Sequence, residues 1–182
     1  MWIIKRHMLR DENGAMVPAF ALLLPFLVLI SLGVVEVSTL LFEWHRTGEA
    51  TRRATRHIAI EQPVADLSAF QRGSVVNCSA NAGAVVSCSS GTGANVGAFA
   101  TMLDLMQAIQ PAILPEHVRI IYSDSGLGDP TTPGGIIPLV KLEVSGLTRP
   151  LMVVGGFLGM PSEFTFPSFM ATQMSNGLGP TN

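Results

Sequence analysis

At 182 residues the chain is long enough for one domain with a modest core plus an appended segment. Charged residues make up only 13% of it, against roughly 25% in an ordinary soluble domain, which excludes a conventional, densely charged soluble surface. The net charge is −2 and the only basic residues beyond Gln62 are Arg72, Arg119, Lys141 and Arg149, so the basic footprint of a nucleic-acid binder is excluded too.

Residues 1–14 form a short charged leader with Lys5, Arg6 and Arg10. From Ala15 to Val35 no residue is charged, and about 20 apolar residues suffice to span a bilayer as a helix. The run exceeds the roughly 7–15 residues of a secretory h-region, and no small-residue cleavage site follows it. Pro18 falls in the first turn, where a missing N–H costs little, and Pro25 is tolerated in a membrane helix. The helix is expected to continue past the membrane. Val37, Leu41, Trp44, Gly48, Thr51, Ala54 and Ile58 recur at steps of three and four, while Glu43, Arg46, Glu49, Arg53 and Arg56 lie off that seam. Glu49 and Arg53 make a favourable i,i+4 pair. Small residues at Gly48, Thr51 and Ala54 would admit either a neighbouring backbone or the chain's own domain. One continuous helix over 15–60 is predicted, ending before Pro63.

The rest, 61–182, is predicted to be an α+β domain outside the cytoplasm. Residues 73–97 are rich in Gly, Ser, Asn and Ala and read as irregular loop around Cys78 and Cys88. Two cysteines without further ligands suit zinc poorly. A disulfide is favoured over two buried thiols, and its loop would contribute on the order of 2–3 kcal/mol. It requires an oxidising compartment. Arginines on both sides of the span leave the positive-inside rule undecided, so the disulfide sets the orientation: N-terminus cytoplasmic, domain periplasmic or extracellular. Phe99, Met102, Leu103, Met106 and Ile109 mark a helix over about 95–110. Val118, Ile120 and Tyr122 alternate as one strand, and Val140, Leu142 and Val144 as another. They read as an antiparallel hairpin with a long Gly/Pro connector over 124–135, its apolar face covered by the helix. Leu151–Met160 is apolar and glycine-rich, and Phe164, Phe166 and Phe169 read as one last strand.

Gly14–Pro25 (GAMVPAFALLLP) followed by Leu32–Ala59 resembles the N-terminal signature of TadE-like proteins of Tad pilus systems. The elements that carry the resemblance are Gly14, Ala15, Phe20, Ala21, Pro25, the Leu32-Gly33-x-x-Glu36 block and the Arg/Ala-rich Thr51–Ala59. Beyond them only a paired-strand domain with a Tyr122–Ser123 turn is similar in style. The resemblance implies a pilin-like fold, Gly14–Ala15 as a prepilin-peptidase junction, and Phe20, Pro25, Glu36 and Trp44 as positions on the membrane and assembly helix. It implies as partners the membrane, other pilins or pseudopilins, Tad assembly proteins and the peptidase. Pilin-like members carry Glu at the fifth position after the glycine; here it is Ala19, which points away from the filament shaft and toward a tip-located minor pseudopilin or an uncleaved anchor. Glu36, an ionisable residue at the edge of the span, would pair with a basic group on a neighbouring subunit or reach the headgroups.

No catalytic constellation is legible. His45 and His57 lack metal-ligand spacing, and His117 reads as a surface residue. Gly91–Gly97 lacks the preceding strand and the Lys-Ser/Thr ending of a phosphate loop. Asp124 and Asp129 offer too few oxygens for calcium. The expected function is a non-enzymatic minor pilin or pseudopilin component of a bacterial inner-membrane Tad apparatus, with no cofactor, metal or nucleic acid. The alternatives are an uncleaved TadG-like anchor or a membrane-tethered envelope hydrolase.

Overall fold

The computed structural model describes residues 12–90, 93–129, 135–153, 155 and 161–175. The leader's Lys5, Arg6 and Arg10, part of the 124–135 connector and most of the apolar stretch 151–160 lie outside the described residues. The chain is α+β: helix α1 (Glu12–Ile60), strands β1 (Val75–Ala80) and β2 (Val86–Cys88), helix α2 (Val96–Ile109), then β3 (Val118–Gly128), β4 (Ile136–Val144), β5 (Thr148–Pro150), β6 (Glu163–Thr165) and β7 (Phe169–Met174). Its residues group into two compact units, one of 1–40 with 150–163 and one of 41–149 with 164–182.

In the first unit, the α1 residues from Val17 to Val37 leave their large side chains exposed, among them Leu22, Phe26, Ile30 and Val34. Leu, Ala and Val dominate the segment, and helix formation satisfies its backbone internally, as a bilayer interior requires. Pro18 and Pro25 both lie within α1.

The second unit is built on a five-stranded sheet in the order β2-β1-β3-β4-β7, antiparallel throughout its pairings. The expected hairpin is present as β3 and β4, with Val118 opposite Val144, Ile120 opposite Leu142 and Tyr122 opposite Val140. These six side chains are buried on one face with Val76, Cys78 and Phe169. Strand alternation explains the division: Arg119, Ile121, Lys141 and Glu143 take the other face. The core is completed by Phe99, Met102, Leu103 and Met106 of α2 and by Ala50, Ala54, Ile58 and Ala59 of α1.

Three expectations are corrected. The cysteine segment is not an irregular loop: β1 pairs with β3 and β2 with β1. Small polar residues hid the alternation of buried Val76 and Cys78 with exposed Val75, Asn77 and Ser79, and only pairing to β3 supplies the stability that their propensity lacks. Tyr122–Ser123 is no turn but the middle of β3, whose register with β4 shifts only between Asp124 and Gly128. The three late phenylalanines do not share one strand. Phe164 lies in β6, paired with β5, Phe169 opens β7 on the main sheet, and Phe166 sits beside Pro167, which cannot donate to a ladder.

Tyr122 ties the second unit together. It is fully buried, and its hydroxyl accepts the Val64 amide at 3.0 Å where the chain leaves α1. Burial pushes its ionisation up to about 12, partly offset by the Val64 and Ala65 amides, which favour the phenolate. Val64 in turn accepts the amide of Asn95 at 2.7 Å, and the Asn95 side chain caps α2 through the Ala98 amide. His117 accepts the Leu114 amide on its Nδ1, holding the short 3-10 turn that leads into β3.

Candidate functional site

In the first unit, the most apolar 18-residue window of α1 has a mean hydropathy of 2.5 with none of it buried, so this helix is long and apolar enough to cross a membrane. Its hydroxyls are satisfied on the helix itself: Ser31 donates to the Leu27 carbonyl, Ser38 to Val34 and Thr39 to Glu36. Such back-bonding leaves none of these three hydroxyls with an unmet donor. Gly14 and Ala15 fall within α1, near its start at Glu12. Phe20 is 60% exposed, and Pro25 is also on the open surface.

Glu36 is the first charged residue after the apolar run. Its carboxylate accepts the backbone amide of Met152, and both its oxygens lie 3.2 Å from the amide of Val153. Sequence reasoning pointed to a basic neighbour or to the headgroups. Two of its partners are main-chain donors of the same chain, more than a hundred residues away, which no local pattern announces. The segment bearing them is a built turn. Leu151 donates to the Ser162 carbonyl at 2.8 Å, and a Cβ at Gly155 would meet the Leu151 oxygen at 2.3 Å.

In the second unit, α1 from Leu41 onward is amphipathic in a different way. Thr47, Ala50, Thr51, Ala54, Thr55, Ile58 and Ala59 are buried. The three threonines donate to the carbonyls of Glu43, Thr47 and Thr51, which satisfies their hydroxyls at buried positions. Thr51 and Ala54 of the expected seam therefore pack on the chain's own domain. Gly48 does not mark a close approach, since a Cβ there would meet nothing within 4 Å, and Leu41 stays exposed. On the outer side Arg53 donates to Glu49 at 2.6 Å, and this bond, with the nearby arginines, holds the Glu49 carboxyl below its usual range.

Trp44 lies against Phe169 with ring centroids 5.1 Å apart and against Phe166 at 6.2 Å, and Phe164 stacks edge-on to Phe166 at 5.1 Å. Beside this cluster Arg149 forms an ion pair with Glu43. Neither Arg149 nor the phenylalanines could be assigned to Trp44 and Glu43 from a single sequence, because the pairing spans 106 residues for the ion pair alone. Cys78 and Cys88 are joined as a disulfide between directly paired residues of β1 and β2.

A cleft of about 370 Å³ lies between the end of α1 and the start of α2, lined by His57, Glu61, Gln62, Asn95 and Thr101. Among the described residues no group of three His, Cys, Asp or Glu side chains is placed to hold a metal ion. Asp124 is engaged in turn formation, accepting the amides of Gly73 and Gly126, which hold its carboxyl below the usual range.

Residues 14–56 match the family model described as TadE-like protein, so the match opens at Gly14 and closes within the buried stretch of α1. No curated protein and no solved structure shows significant similarity to the chain.

Proposed function

We propose that the protein is a minor pilin or pseudopilin-like structural component of a Tad-type pilus or secretion apparatus, held in the inner membrane by α1 with its domain on the non-cytoplasmic side. One observation carries this: the TadE-like match covers 14–56, the same stretch that forms an unburied apolar helix continuing into a domain core. A helix whose apolar side chains stay exposed among the described residues suits lipid or other helices. The cross-strand disulfide supports an oxidising compartment for the domain. Pilins and pseudopilins, Tad assembly proteins and a prepilin peptidase are the partners on this reading, and the role is mechanical rather than enzymatic.

Ala19, where pilin-like members carry glutamate, favours a minor or terminal position over the shaft. The second reading, an uncleaved TadG-like anchor, is favoured by the same residue. The mass of the N-terminal peptide from native membranes, with and without the prepilin peptidase, separates them. A start at Ala15 that depends on the peptidase supports the pseudopilin; an intact Gly14–Ala15 bond in both samples overturns it and leaves the permanent anchor.

A further inference from the structure

We infer that the turn built on Leu151–Val153 and Pro161–Ser162 is a second membrane-contact element, inserted at the level of the lipid headgroups beside the span and held there by the Glu36 carboxylate. The inference rests on the reading of α1 as a membrane helix. At 1.5 Å per residue, Val17 to Glu36 covers about 28 Å, close to the roughly 30 Å hydrocarbon core, which sets Glu36 at the far boundary of the apolar layer. A carboxylate at that depth needs donors, and irregular backbone at that depth needs acceptors. Glu36 and the amides of Met152 and Val153 meet both needs at once. Leu151 donates to the Ser162 carbonyl, so the amides of Leu151, Met152 and Val153 all have acceptors, as a place where water is scarce demands.

The side chains point the same way. Met152 is 88% exposed, the highest value among the large apolar side chains described, although its own amide is bound to Glu36. From Pro150 to Ser162 the sequence carries no charge at all, with Arg149 and Glu163 as its limits. On α1, Val35 and Val37 on either side of Glu36 are exposed as well. A strongly exposed methionine in an uncharged stretch, in one unit with an exposed apolar helix, is the kind of surface that lipid covers.

The test uses the full-length protein reconstituted in vesicles of phosphatidylcholine and phosphatidylglycerol. Because Cys78 and Cys88 are joined, Met152→Cys offers a single thiol for a fluorophore, and Leu29→Cys gives the reference in the span. Nitroxide-bearing lipids should quench the label at 152 most strongly from shallow positions and the label at 29 from deep ones. Aqueous iodide should quench neither. Adding Glu36→Ala should cost the label at 152 its lipid quenching and open it to iodide while leaving 29 unchanged; Glu36→Gln, which keeps an acceptor oxygen, should retain part of the quenching. An iodide-accessible label at 152 beside a lipid-quenched label at 29 overturns the inference and leaves the span standing. Loss of lipid quenching at 29 in the parent overturns the span and the inference together. Shielding of 152 from iodide without lipid quenching places a second polypeptide there, and quenching indifferent to Glu36→Ala removes Glu36 from the contact; either overturns the inference.

Discussion

Replacing Tyr122 by phenylalanine tests how the second unit is held. The ring stays, so no cavity larger than a hydroxyl opens, but the Val64 amide loses its acceptor in a buried position. Leaving one buried donor unmet costs about 1–3 kcal/mol, and for a domain near this size each kcal/mol lowers Tm by roughly 4 °C. The pH dependence gives an independent check. The phenol's folded pKa is raised from 10.0 to about 12, so its contribution is fully present below pH 10 and is lost as pH rises through 12. Over that interval the unfolded chain has released a proton that the folded chain keeps, and stability falls by up to about 3 kcal/mol. The phenylalanine variant lacks this alkaline loss, so the stability gap between the two proteins narrows from pH 10 to 12. Tyr122 is the chain's single tyrosine, so its ionisation can be read directly from tyrosinate absorbance in the full-length protein in detergent, with near-UV circular dichroism following unfolding. A native-state midpoint close to 10, or a variant that melts with the parent at neutral pH, would refute the reasoning.

Other expectations follow from the same geometry. Reducing the Cys78–Cys88 bond should destabilise the domain by about 3 kcal/mol, read as a lower Tm with reductant, because its short loop no longer restrains the unfolded chain. Asp124 should titrate below the usual 3.8 in a carbon-13 spectrum of the folded protein; its stabilising share is present above 3.8 and lost as pH falls through the depressed value, and Asp124→Asn should flatten that acid limb. Trp44→Ala should cost about 2–3 kcal/mol, less than a fully buried tryptophan since this one is 39% exposed, and an unchanged melt would deny the Phe166–Phe169 contact any weight. Val28→Arg places a charge near the middle of the apolar run, where insertion is disfavoured by about 3 kcal/mol, and should shift the protein toward the carbonate-extractable fraction.

The α+β class and the elements with strong periodicity were legible without coordinates. The uncharged run from Ala15 to Val35 has the length and composition of a span. The alternations at Val118–Tyr122 and Val140–Val144 define two half-buried strands, and the stripe Phe99–Ile109 defines a helix; the structure holds all three as α1, the β3–β4 pair and α2. The Glu49–Arg53 pair was legible for the same reason, since helical spacing alone brings the two together. These are local properties, written in the order of neighbouring residues.

Tertiary structure alone decided the rest. Strands β1 and β2 exist because β3 offers an open edge to Val75–Ser79, and their Gly, Ser and Asn content conceals this from any local measure. Whether the small face of α1 served the domain or a neighbour was undetermined by spacing; burial of Thr47 to Ala59 assigns it to the domain and leaves Gly48 open. Glu36 meeting the Met152 and Val153 amides, Glu43 meeting Arg149, and Trp44 meeting Phe166 and Phe169 all join positions more than a hundred residues apart. Such contacts arise only when folding returns a late part of the chain to an early one, and a single sequence does not record which partners folding will bring together.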